Sequence, residues 1–398
     1  MKKKVFVSVA LCCCCMTSCI KDEAPNKECD IESAWVEGTE YEQYFYQAAE
    51  MRKERISSAE SAIVFYVRSL ISLSKEIPLQ LKITEGATVR PANGSPQDFT
   101  NGPVAYTVTS EDGQWQRTYN VSFAEAPLPA DMFSFEHFES RSERTLLGGL
   151  NEMHFFYELM QSPEVKDEHY YCWATGNQGA AMVKNGAKSE EFPTYSTPDG
   201  KEGRGVCLCT QSAGAMGEWM RKPIAAGSLF LGKFVVEEVM KDPLRATQFG
   251  VPNGKEPVRI NGWYKYKPGE KFTDLDMKEY PGRTDEASIY AVFYRNTDGE
   301  GNSYVLDGHG VEHLDKLMDN PQVYKVARVA SLPPTDTWTE WEMFFEGKDV
   351  PDDILEAQGC NLALVFSSSK DGAQFEGAIG STLYIDEVQV SYEKKIED

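Results

Sequence analysis

A tryptophan flanked by Arg, Asn and Lys on one face of a strand has the chemistry of sugar recognition. The ring offers a plane to the apolar face of a pyranose, and the fixed polar groups meet its hydroxyls. The stretch 258–267 has this arrangement. Alternation along a strand sends Val258, Ile260, Gly262, Tyr264 and Tyr266 to one face, and Arg259, Asn261, Trp263, Lys265 and Lys267 to the other. Trp173 with Asn177, and Trp219, are further binding candidates, whereas Trp338 and Trp341 are expected to fasten a loop to the core.

Hydrolysis of a glycoside would need two carboxylates, about 5–5.5 Å apart for retention or about 6.5–9.5 Å for inversion. With 62 acidic residues, the sequence alone selects no pair. Asp285-Glu286, Asp352-Asp353 and Asp386-Glu387 are adjacent in sequence, and neighbours on a strand point to opposite faces, so most are expected to be solvated. The five histidines fall in no H-E-x-x-H motif, and no G-x-S-x-G, P-loop or strand-associated G-x-G-x-x-G is present. His309 and His313 have helical metal-pair spacing, but Gly308 and Gly310 oppose a helix, so an ordinary polar loop is expected.

The elements that must position these groups read as strands. Ten Asn-Gly or Asp-Gly pairs, at Asn93, Asn101, Asp112, Asn185, Asp199, Asn253, Asn261, Asp298, Asp307 and Asp371, mark tight turns between runs rich in Val, Ile, Phe and Tyr. Helical periodicity is confined to stretches near 40–60 and 350–358. The fold class is therefore all-β, in two units. The first, 28–125, has the length and strand spacing of a seven-strand sandwich. The second, 132–393, opens with a strand over 133–139 and closes with one over 383–392. The nearly all-apolar runs 289–294 and 362–366 are expected to be its central strands, covered on both sides. Residues 126–131, with Pro127 and Pro129, form a stiff linker.

The formal charge of −22 over 398 residues rules against a nucleic-acid partner and against docking on anionic lipid head groups. The chain nevertheless opens like an envelope protein. Lys2, Lys3 and Lys4 precede an apolar run of about 12 residues, too short to span a bilayer and typical of a secretory signal. Met16-Thr17-Ser18-Cys19 resembles a bacterial lipobox, which implies a signal peptide over 1–18, lipidation of Cys19 and a tether over 19–27. The following Ile20-Lys21-Asp22-Glu23 resembles the export signal of surface-displayed Bacteroidetes lipoproteins, implying the outer membrane, cell-surface exposed, with the lipid as the only membrane contact. Removing the signal takes the formal charge to −25 and leaves Cys29, Cys172, Cys207, Cys209 and Cys360, with their pairing open. Cys207 and Cys209 share one face of a strand and are expected to be small buried hydrophobes.

Residues 86–91, 98–100 and 106–113 resemble the Ig-like domains of Bacteroidetes surface lipoproteins, which implies an N-terminal Ig-like sandwich acting as a spacer or docking module. Residues 173–179, 223–232, 262–269, 367–369 and FEGAIGSTLYIDEV over 375–388 resemble the putative carbohydrate metabolism domain of gut Bacteroidetes lipoproteins. That resemblance implies a larger jelly-roll sandwich with a role in glycan handling. Glu136 on the first strand and Asp386 on the last are similar to the ligands of a structural Ca²⁺ in carbohydrate-binding jelly rolls, the alternative being that both are exposed edge carboxylates and no cofactor is bound. Three functions follow as expectations. The first is a non-catalytic lipoprotein binding a polysaccharide or oligosaccharide beside other surface glycan-utilisation proteins. The second is a glycoside hydrolase or lyase using a carboxylate pair, and the third is an adhesive protein with a protein partner.

Overall fold

The computed structural model describes residues 25–45, 51–54, 56–57, 61–67, 73–125, 131–145, 148–161, 166–239, 241–300 and 302–392. The expected signal, Cys19 and residues 126–130 of the expected linker lie outside these.

Alternating burial builds the first core. Strand Ile77–Ile83 buries Ile77, Leu79 and Leu81, while Ala62–Val67 buries Ile63, Phe65 and Val67. Two four-stranded sheets enclose these residues. One runs Arg52–Glu54, Ile31–Val36, Ile77–Ile83, Pro96–Gln97, and the other Ala62–Val67, Gln116–Glu125, Val104–Thr109, Thr88–Arg90. Phe65, Phe99 and Phe123 meet at its centre, with ring centroids 4.8–5.2 Å apart in the contacts made by Phe123. This is the Ig-like sandwich, with an eighth short strand beyond the seven expected. The expected hairpin at Asp112-Gly113 joins two of its strands, Gly113 taking a φ of 69°.

The jelly roll beyond it stacks a nine-stranded sheet on a six-stranded one. In the larger sheet, Ser288–Arg295 and Cys360–Ser367 lie side by side and are buried on both faces. Ile289, Ala291 and Phe293 enter the inter-sheet core. Tyr290, Val292 and Tyr294 enter a second core on the far side with Phe249, Leu306, Leu317 and Val323. Double coverage explains why both runs read as continuous apolar sequence.

The six-stranded sheet is ordered Thr194–Thr197, Gly205–Cys209, Thr382–Tyr392, Pro257–Lys267, Thr335–Phe344, with Met132–Phe133 pairing along Thr382–Tyr392. Val206, Leu208, Ile260, Tyr264, Tyr266, Leu383, Ile385 and Val388 point into the inter-sheet core, so their neighbours along each strand form the outer face.

Two sequence expectations need correction. The strand expected over 133–139 is broken into Met132–Phe133 and Phe138–Arg144, because Phe135 turns to a φ of 53° to keep its ring buried beside Trp173. Asn261-Gly262 makes no turn. It sits mid-strand, where the missing Cβ leaves room for Trp341: one built there would lie 2.9 Å from Trp341 Cζ2.

Candidate functional site

The outer face of the six-stranded sheet carries the polar-aromatic row read from 258–267. Trp263 and Lys265 project from it, half-buried, as alternation requires. Strand pairing places partners beside them in rows. Tyr195 lies opposite Cys207, Cys207 opposite Tyr384, and Tyr384 opposite Lys265. The Lys265 ammonium ends the row between two rings, 4.7 Å from the centre of Tyr384 and 4.8 Å from that of Trp338. Asp199 pairs with the same ammonium at 2.5 Å. In the next row Trp263 is flanked by Asp386 and Glu340, and beyond it Asn261 by Gln389 and Glu342. With strands about 4.8 Å apart, five strands make a face about 19 Å wide.

Trp338 belongs to this face, not to a loop staple as expected. A register shift between Tyr264 and Tyr266 releases the Thr335–Phe344 strand locally and sets the Trp338 ring over Lys265. Trp341, three residues on, is 4% exposed in the core, as expected. Arg259 pairs with Glu342 at 3.0 Å, and Asn261 Oδ1 has no hydrogen-bond partner. The Cys207 thiol lies in the same row, between Tyr195 and Tyr384 on the flanking strands. Burial pushes this thiol up to about 11 and the Tyr384 hydroxyl to about 12, so the row is uncharged at neutral pH apart from Lys265 and Asp199.

A loop from Pro198 to Arg204 rises over the middle of the face. A bulge in the last strand fixes it. Between the inward Ile385 and Val388 stand both Asp386 and Glu387, Glu387 with a φ of 49°. Asp386 Oδ2 accepts the backbone N–H of Lys201 at 2.6 Å and of Glu202 at 3.1 Å, while Oδ1 accepts that of Glu387 at 2.9 Å. Glu136 Oε1 accepts the N–H of Arg204 at 2.8 Å. The loop so held lays the Lys201 ammonium 4.6 Å from the centre of the Trp263 ring. Complete burial raises the Asp386 carboxyl to about 6 despite three N–H donors. Burial, then the charges of Glu202 and Glu136, raise Glu387 as well.

Glu136 and Asp386 were the expected calcium ligands. The fold brings them to the same loop, where Asp386 accepts the N–H groups of Lys201 and Glu202 and Glu136 that of Arg204. Among the described residues no cluster of three or more Asp, Glu, His or Cys is arranged to take a metal ion. In this structure both carboxylates anchor the loop.

Other sequence candidates lie elsewhere. Trp173 is 6% exposed, packed on Phe133 and Phe135, and donates its Nε1–H to Glu158 at 3.1 Å. Asn177 is buried, exchanging two hydrogen bonds with the backbone of Thr194 at 2.6 and 3.0 Å. Both are buried residues, and neither lies on the outer face of the six-stranded sheet. Trp219 is 85% exposed on a short helix, Gly214–Trp219, apart from the sheet. His309 bonds to Asp242 at 2.8 Å within a turn, the polar loop expected.

Asp285 was expected at the surface and is instead 2% exposed. Its Oδ2 accepts from Ser369 Oγ at 2.5 Å, Ser381 Oγ at 2.7 Å and Ala378 N at 2.8 Å, and Oδ1 from Glu286 N at 2.9 Å. Ser368 and Ser369 extend the network to Thr210 at 2.8 and 2.6 Å. The segments 367–369 and 375–388 thus meet on one buried carboxylate that ties the loops at one end of the sandwich.

A family profile described as putative carbohydrate metabolism domain matches residues 134–391, and one described as SGBP, N-terminal, matches 45–122. The chain is similar to the crystal structure of a putative glycoside hydrolase from Bacteroides thetaiotaomicron. The two are 33% identical, with 94% of this chain and 100% of the other covered and a TM-score of 0.63. It is also similar to a putative glycoside hydrolase from Bacteroides vulgatus, at 33% identity, 66% and 98% coverage and a TM-score of 0.58. No curated protein matches it. With about two thirds of its length inside one family profile, and a full-length relative of the same architecture, this chain belongs to the putative carbohydrate metabolism domain family.

Proposed function

We propose that the chain is an outer-membrane lipoprotein, anchored through Cys19, that binds a polysaccharide on the outer face of its six-stranded sheet without cleaving it. The observation that carries this reading is the half-buried set Trp263, Trp338 and Tyr384 on the outer face of the six-stranded sheet, interleaved with Lys, Asp and Asn. Ring planes with fixed polar neighbours suit pyranose rings. The N-terminal match supports the same role, since SGBP denotes a surface glycan-binding protein. In this reading residues 28–125 are the spacer, 126–131 the linker and 132–393 the binding unit.

A hydrolytic reading draws on the two crystal relatives, both described as putative glycoside hydrolases, and on the raised Asp386 and Glu387 carboxyls. Binding is favoured because Asp386 is 0% exposed and both its oxygens are occupied by backbone N–H groups, leaving none for a glycosidic oxygen. A glycan array on the chain, followed by a reducing-end assay on every hit, tests the proposal. Retention without new reducing ends is expected. New reducing ends that disappear in Glu387→Gln would replace binding with hydrolysis.

A further inference from the structure

We infer that the glycan taken by this face is uncharged, an inference that rests on the binding role proposed above and adds its ligand class. The face carries more carboxylates than cations, and two of its four cations are ion-paired. Lys265 is paired with Asp199, and its side chain is only 12% exposed between Trp338 and Tyr384. Arg259 is paired with Glu342. Lys201 lies on the Trp263 ring, and Lys267 stands at the exposed end of its strand.

On the acidic side, Asp199 and Glu342 are spent on those pairs and Asp386 on the loop N–H groups. Glu340 remains, exposed beside Trp263 on the neighbouring strand, while Glu387, next to Asp386, feels the charges of Glu202 and Glu136. A ligand on Trp263 lies within about one Debye length, roughly 8 Å at physiological salt, of Glu340 on the adjacent strand, which repels a uronate or sulfate there. The formal charge of −22 adds long-range repulsion of a polyanion. Neutral sugar hydroxyls meet the opposite situation, since free carboxylate oxygens accept their hydrogen bonds.

The test is retention of the full chain in affinity electrophoresis through two sets of polysaccharides, at about 50 mM and about 300 mM salt. The neutral set is xylan, galactomannan, mixed-linkage glucan, galactan and arabinan. The acidic set is polygalacturonate, alginate, hyaluronate and chondroitin sulfate. Retention by at least one neutral polymer is expected, changing less than about twofold between the two salts, with none by the acidic set. Tighter, salt-weakened retention by an acidic polymer would overturn the inference while leaving the binding role in place. Retention by neither set would remove the binding role and the inference with it. Glu340→Lys, which removes one of those acceptors and adds an ammonium, should weaken retention by the neutral set and gain salt-sensitive retention by the acidic set. No gain in this variant would contradict the electrostatic basis.

Discussion

The backbone N–H of Lys201 donates to the buried Oδ2 of Asp386 at 2.6 Å, and the same residue's ammonium covers the Trp263 ring. One buried carboxylate thereby sets the access of a ligand to an aromatic plate on the next strand. The outer face of the six-stranded sheet thus carries a loop held in place by a single buried carboxylate.

Asp386 therefore makes the loop sensitive to pH. Its carboxyl is raised from the ordinary Asp range to about 6, so in the fold it takes up its proton as pH falls through about 6. A proton on either oxygen removes acceptor capacity from the three N–H donors. Amide exchange at Lys201 and Glu202, corrected for intrinsic rate, is expected to accelerate below pH 6. The raised value also means that this group's own contribution to global stability is greatest below about 3.9 and is lost as pH rises through about 6. Asp386→Ala, which strands the donors, is expected to cost about 2 to 4 kcal/mol in urea unfolding.

Lys201→Ala should uncover Trp263. Lifting an exposed ammonium from an aromatic ring costs roughly 0.5–1 kcal/mol, so the variant should bind its glycan about two- to fivefold more tightly. Weaker binding would instead assign Lys201 a direct contact with the sugar. Titration calorimetry on both proteins distinguishes the two.

Glu158 is raised by burial to about 7, with the Trp173 indole as its hydrogen-bond donor. A carboxyl raised above its unfolded value contributes stability at low pH, and that contribution is lost as pH rises through about 7. Glu158→Gln keeps an acceptor for Trp173 and cannot ionise. Its melting temperature should exceed the parent's at pH 8, by at most about 3 kcal/mol of added stability, and the gap should close by pH 5.

Asp285→Ala is expected to strand Ser369, Ser381 and the N–H groups of Ala378 and Glu286, costing about 3 kcal/mol or more. Serine-to-alanine changes at 369 and 381 should cost less than additively when combined, because both hydroxyls share one oxygen. Urea midpoints of the single and double variants measure this.

Much of the fold was legible because burial writes alternation into sequence. Arg259, Asn261, Trp263 and Lys265 were assigned to the outer face by period-two spacing alone, and that is where they stand. The runs at 289 and 362 announced central strands for the same reason. Trp173 misled because an isolated tryptophan beside Asn and Gly carries no sign of which side of its strand is covered, and Phe133 and Phe135 arrive from far off in the chain to bury it. Asp285 looked solvated because its burial comes from loops 80 to 100 residues away. Lys201 gave no local signal at all: its place over Trp263 is set by Asp386, 185 residues distant. Trp338 shares its alternation with Glu340 and Glu342, outside the buried Trp341, but no local signal marked 335–344 as a strand rather than a loop.

The most direct measurement is titration calorimetry of the parent chain and Trp263→Ala against a polysaccharide that retains the parent. Trp263 projects outward and supports no core contact, so the variant should unfold at the parent's temperature. Removing a stacking plate should weaken binding by at least about tenfold, equivalent to roughly 1.4 kcal/mol. Equal affinity in a normally folded Trp263→Ala protein would contradict a binding face on this sheet.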